Sequence, residues 1–260
     1  MSEEKVRAED RGAVRILTLD NVAKRNALDY GSLAELEQAC EAAARDQVRC
    51  LVLRGAGEQA FSAGFDLAAM DGPGGDRPDL AVERAMEAVE AVPCPTVAFV
   101  NGAAFGAGCE LAATCDLRIA SATATLGMPP AKLGVVYAAA GLRRFLSLVG
   151  PAHTREMFFT GRPVDAATAR AIGLVDRVVA PEAAEAEAVA LADEIARNAP
   201  LAVQGMKRIL RLLEAAHERG LTEAEREEVA GLRRRAFDSA DLKEGRAAWA
   251  ERRKPRFQGR

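Results

Sequence analysis

Apolar and polar positions alternate over AVRILTLD, residues 13–20, which predicts a β-strand. The pattern then changes period. In residues 29–46, Leu33, Leu36, Cys40 and Ala43 recur at helical spacing behind Asp29, a residue suited to cap a helix. Two short apolar runs, CLVLRGAG (50–57) and TVAFVNG (96–102), suit buried strands, and LRIAS (117–121) and LVDRVVA (174–180) predict two more. Helical patterns lie near 139–149 and 151–160, while DGPGGDRPD (71–79) reads as a loop. From about residue 181 Ala, Glu, Arg and Leu dominate and three or four helices are expected. Leu201, Met206, Ile209, Leu210 and Leu213 form one broad apolar stripe, a packing surface. The pattern predicts an α/β core, residues 1–197, followed by a helical region, 198–260.

Composition narrows the function classes. A chain of 260 residues, 49% hydrophobic and 28% charged, is long enough for a sizeable core. Its formal charge of −3 provides no field for nucleic acid, and no apolar run is long enough to span a bilayer. MSEEKVRAEDRG at the start has no apolar signal stretch, so a cytoplasmic protein is expected. Five cysteines without a CxxC pair predict reduced, buried thiols. Two histidines, His153 and His217, sit in charged helical segments far from any Cys or acidic cluster; both read as surface residues, and no metal site is expected.

Two segments carry candidate chemistry. In NGAAFGAGCELAATCD (101–116) a strand, a Gly-rich turn and a helix aim free N–H groups at whatever lies above the turn. Glu110 just inside would repel a phosphate but not a neutral carbonyl, so these donors suit an oxygen that becomes negative only during reaction. Taken alone, Glu110 is either a proton carrier beside that oxygen or a carboxylate favoured in a first helical turn by the helix dipole. No Lys-Ser/Thr follows the glycines, which argues against a nucleotide loop. The second segment, AFSAGFDLAAM (60–70), is a small-residue turn after a strand, with Asp66 placed to cap a short helix.

FSAGFDL followed by NGAAFGAGCELAATCDLRIA resembles the crotonase, or enoyl-CoA hydratase/isomerase, superfamily. KRNALD (24–29), TGRPVDAATARAIGLVDRVV (160–179) and ERRKPRFQGR (251–260) are similar to further motifs of that family, in the same order. The resemblance implies an α/β fold, a spiral of ββα units forming two sheets, with a C-terminal helical region that drives assembly of a trimer or a dimer of trimers. It implies an acyl-CoA thioester substrate, coenzyme A entering only as part of it, and no other cofactor. It places the enolate-stabilising amides at Phe65 and Ala107 and a catalytic carboxylate at Glu110. It puts the CoA moiety against Lys24, Arg25, Ala27, Ala63, Asp66, Leu67, Gly106 and Lys254, with Arg252 and Arg253 beside the last. Each of these cations, read singly, is equally a solvated charge.

The departures are informative. Family hydratases carry a second catalytic Glu in a Gly-x-Pro-Glu segment; LGMPPAKLGVVY (126–137) has Pro130 there, and residues 126–141 contain no Asp or Glu. Proline transfers no proton, and losing one of two acid–base groups costs a factor of roughly 10²–10⁴. Tyr137 matches a tyrosine in the methylmalonyl-CoA decarboxylase branch, which also lacks the second Glu, although those enzymes have His where this chain has Phe65. Tyr137 is thus either a reacting group or a buried phenol bonded to backbone. Decarboxylation, hydration and double-bond isomerisation all pass through the enolate, and a non-catalytic CoA-ester binder is the rival from another class.

Overall fold

The computed structural model describes residues 4–70, 77–217, 223–224, 227, 230–231, 234, 237–253 and 255–256. Its strands form two sheets. The larger runs β1 (Val6–Arg11), β2 (Val14–Leu19), β3 (Cys50–Gly55), β5 (Thr96–Val100), β7 (Leu117–Ser121) and β10 (Arg177–Val179) in spatial order, parallel except for the β1–β2 hairpin. The smaller runs β4 (Ala60–Ser62), β6 (Ala103–Phe105), β8 (Thr125–Gly127) and β9 (Val164–Asp165), with β9 antiparallel to β8.

The chain builds them by repetition. After β1, β2 and α1 (Tyr30–Arg45), a large-sheet strand is followed by a small-sheet strand and then a helix. The repeats are β3, β4 and α2 (Pro78–Ala91); β5, β6 and α3 (Ala107–Thr114); and β7, β8 and α4 (Pro130–Leu133). This is the expected spiral of ββα units. α5 (Ala139–Thr160) contains both helical segments foreseen there, broken where Gly150 takes φ 70° ahead of Pro151. α6 (Ala166–Ala171) precedes β10; α7 (Pro181–Arg197), α8 (Pro200–His217) and α9 (Ala240–Ala250) follow it.

Both faces of the large sheet are covered, which explains its apolar runs. Leu17, Leu19, Leu51 and Leu53 share one core with Leu33 and Leu36 of α1, Met86 of α2, Cys109 of α3 and Phe145 of α5. Their strand neighbours Val14, Ile16, Cys50 and Val52 point the other way. There they meet Ala184, Ala188, Ala192 and Ala196, a four-residue stripe of small side chains that lets α7 close on the sheet. All five cysteines are unpaired and buried, and burial pushes the thiols of Cys40, Cys109 and Cys115 up to about 12.

Four features differ from the sequence pattern. β1 shows no alternation because it is an edge strand held by backbone pairing, with every residue after Val6 exposed. β10 begins at Arg177, three residues later than the apolar pattern of 174–180 suggests, because Leu174 and Val175 are buried among the helices instead. Among the described residues the stripe on α8 is left uncovered: Leu201 is 86% exposed and Ile209, Leu210 and Leu213 are each more than half exposed. The opposite side of α8 is anchored by Lys207, which donates to the Cys94 carbonyl at 2.8 Å and pairs with Asp116 at 2.6 Å. Finally, α2 starts within the expected loop, at Pro78, and residues 71–76 lie outside the described residues. His153 is exposed on α5. Among the described residues no helix is long and apolar enough to cross a membrane.

Asp29 caps α1 through a reciprocal pair: it accepts from the Ser32 amide at 2.9 Å, and its own amide donates to the Ser32 hydroxyl at 2.8 Å. Asp29→Ala is expected to lower the unfolding free energy by about 1–2 kcal/mol in a urea titration. A loss below about 0.3 kcal/mol would show that the cap contributes nothing.

Candidate active site

β4 and β6 are parallel neighbours, so their C-terminal ends lie side by side. The chain leaves β4 through Gly64 at φ 92°, and a Cβ there would sit 2.5 Å from the Phe105 carbonyl oxygen and 3.4 Å from the Ala107 nitrogen. Only glycine permits that approach, which brings the turn carrying Phe65 against the amide that opens α3. Leu28 flanks Phe65, its amide donating to the Gly64 carbonyl at 2.8 Å and its carbonyl accepting from Asp66 at 2.7 Å. The Phe65 N–H is left out of that pairing. Ala107, the first residue of α3, has no carbonyl a turn earlier to receive its own. Among the described residues neither amide meets an acceptor, and both residues line one cavity of about 1010 Å³. The Phe65 ring turns aside to meet Tyr30 edge-on, centroids 5.4 Å apart.

Glu110 lies in the first turn of α3, 3% exposed, with both carboxylate oxygens engaged. The Tyr137 hydroxyl donates to Oε2 at 2.5 Å and Arg144 donates to Oε1 at 2.9 Å. Arg144 Nε donates in turn to Glu90 on α2 at 2.7 Å. Burial raises the pKa of Glu110, opposed by the Tyr137 hydrogen bond and the charge of Arg144. Burial and the charge of Glu110 push the Tyr137 phenol well above its ordinary value. Tyr137 is held edge-on by Phe158 at 5.4 Å, and its hydroxyl bonds a side chain rather than backbone. Gly141 makes room for this cluster: a Cβ there would lie 2.6 Å from both Glu110 Oε1 and the Tyr137 ring.

Of the residues singled out in the sequence, Arg25, Ala63, Phe65, Asp66, Leu67, Gly106, Ala107, Glu110 and Tyr137 all line the cavity, as does Pro130. Lys24 and Ala27 do not. Lys24 pairs instead with Asp66 at 2.6 Å, and Asp66 also caps its short helix through the Ala68 amide. Arg253 is held by Glu244 and Glu251, and Lys254 lies outside the described residues. α9 sends Lys243, Arg246 and Trp249 to the cavity, joined by Lys132 of α4. Arg144 was not foreseen. Its one sequence signal is its place three residues after Gly141, on the helical face that approaches Glu110. The acid Glu83, on α2, also lines the cavity.

Two sheets wound from ββα repeats, with a cavity at the ends of the small-sheet strands, define an α/β protein of the crotonase type. The family model described as enoyl-CoA hydratase/isomerase matches residues 9–260, and the chain belongs to that family. It is 34% identical to methylmalonyl-CoA decarboxylase of Escherichia coli K12, over 95% of this chain and 98% of that one. It is 33% identical to crotonyl-CoA hydratase of Syntrophomonas wolfei, over 99% of each. A solved methylmalonyl-CoA decarboxylase in complex with 2-nitronate-propionyl-CoA superposes with a TM-score of 0.91 at 32% identity, covering 100% of both chains.

The raised pKa of Glu110 has a consequence for stability. The folded state holds this proton more tightly than the unfolded chain, so the contribution of Glu110 to stability is greatest below the ordinary value of 4.5 and falls as pH climbs toward the raised one. Glu110→Gln removes that loss. Melting curves of both proteins should therefore diverge in favour of the variant as pH rises from 4.5 toward neutrality; parallel curves would refute the raised pKa.

Proposed function

We propose that the protein is an acyl-CoA enzyme that holds an enolate oxygen between the backbone amides of Phe65 and Ala107, and that its reaction is the loss of CO₂ from a 2-carboxyacyl thioester. The observation that carries this reading is the Tyr137–Glu110 hydrogen bond of 2.5 Å in a cavity that Pro130 also lines. The Tyr137–Glu110 pair can deliver one proton, and decarboxylation needs one proton delivered to carbon.

The bond from C2 to the carboxylate breaks, its electron pair moves into the enolate, and the thioester oxygen takes up the charge between the two amides. C2 then receives a proton from Tyr137. A tyrosinate beside Glu110 is strongly disfavoured, so Glu110 must resupply the phenol as it gives up its proton. The raised pKa of Glu110 suits it to carry that proton, and solvent restores it. Electrons and protons balance among substrate, Tyr137, Glu110 and water, so the step calls on no metal or redox cofactor.

The remaining assignments follow the same reading. Arg25, Lys132, Lys243 and Arg246, all lining the cavity, are placed to meet the phosphates of coenzyme A. The exposed apolar stripe of α8 supports assembly into a trimer or a dimer of trimers.

Purified protein given methylmalonyl-CoA should release CO₂ and leave a product lighter by that mass. Tyr137→Phe should lower kcat by a factor of about 10². No CO₂ release, or a Phe variant as fast as the parent, sinks the decarboxylase assignment. Ala107→Pro tests the hole separately. Position 107 is the first of α3, where proline is tolerated, so the helix should survive while its N–H is lost. The expected cost is about 10²–10³ in kcat with the melting temperature little changed.

A further inference from the structure

Four carboxyl groups line the cavity among the described residues, and three are committed. Asp66 is taken by Lys24 and the Ala68 amide. Asp79 receives Arg77 through both oxygens, at 3.1 and 3.0 Å. Glu110 is held by Tyr137 and Arg144. Glu83 differs: half-buried on α2, it has no ion pair or hydrogen bond within the described residues.

Its position is informative. Glu83 and Glu90 are seven residues apart, two turns along one face of α2. The Glu90 end is tied to Arg144, while the Glu83 end opens on the cavity. The negative charge of Glu83 reaches Glu110, where it adds to the effect of burial. Half-buried, facing the cavity and without a partner among the described residues, this carboxylate is placed to take a proton from a molecule bound there.

We propose that Glu83 is a second catalytic carboxylate of this cavity, which takes a proton from water adding to C3 of an enoyl thioester and so provides, from α2, the hydration role that Pro130 cannot fill. The proposal rests on the enolate reading of Phe65 and Ala107. The water oxygen bonds to C3 as one of its protons passes to Glu83. The C2–C3 π pair shifts toward the thioester and its oxygen becomes the enolate oxyanion. C2 then takes a proton from the Tyr137–Glu110 pair, and the proton on Glu83 returns through solvent to restore that pair. The sum is enoyl thioester plus water giving 3-hydroxyacyl thioester, with both carboxyl groups unchanged.

The test compares parent, Glu83→Gln, Glu83→Asp and Ala107→Pro, each with crotonyl-CoA. The parent is expected to hydrate crotonyl-CoA. Glu83→Gln should lower kcat for hydration by about 10² with KM within about threefold. Glu83→Asp, which keeps a carboxylate, should hydrate faster than the Gln variant. A parent that adds no water to crotonyl-CoA overturns the proposal, as does a Gln variant that hydrates at the parental rate or an Asp variant no faster than the Gln variant. Ala107→Pro separates the two layers of argument: if it leaves hydration intact, the enolate reading fails whatever Glu83 does.

Discussion

A carboxylate at 3% exposure must be compensated, and the arrangement around Glu110 is the compensation. α3 supplies the carboxylate, α5 the guanidinium of Arg144, the turn before α5 the phenol of Tyr137, and α2 the second carboxylate, Glu90, that balances Arg144. Three helices and a loop are therefore locked in one register by charge. Gly141 is the steric counterpart, since any side chain there would drive α5 off the cluster. The cavity takes its shape from this packing, with α2, α3, α4 and α9 all contributing wall.

The second constraint is backbone geometry. Because β4 and β6 are parallel and adjacent, two turns leave the small sheet at the same end, and Gly64 allows them to touch. Amides presented this way belong to the main chain and do not depend on the side chains at 65 and 107. That independence explains how Phe65 can carry a large aromatic ring, turned onto Tyr30, without blocking its own N–H. In the proposed reaction the labour divides accordingly: backbone amides hold the oxygen, while side chains of α2, α3 and the turn before α5 differentiate the chemistry at carbon.

The helices after β10 do three separate jobs. α7 completes the core by laying alanines on the sheet. α8 is fastened by the buried Lys207–Asp116 pair and turns its apolar stripe outward. α9 comes back to the cavity mouth and brings Lys243, Arg246 and Trp249 with it.

Five strands of the large sheet, the α1 cap at Asp29 and the Gly-rich turn that places Glu110 in a first helical turn were legible in the sequence because each depends on nearest neighbours along the chain: apolar patterning, a four-residue cap, a glycine-rich turn. The cavity residues around Phe65, Ala107 and Tyr137 were legible through motif resemblance, since short segments in fixed order keep their places when the fold is kept. β1 was not, because an exposed edge strand is held by backbone pairing that leaves no apolar pattern. Arg144 was not, because what distinguishes it is a partner 34 residues away, and Glu83 was not, because its place on the cavity wall is set only when α2 packs. Charge type and helical spacing are written in the chain. Whether a charge ends up compensated is decided only when distant elements pack, because that depends on which cation the fold brings within hydrogen-bonding reach.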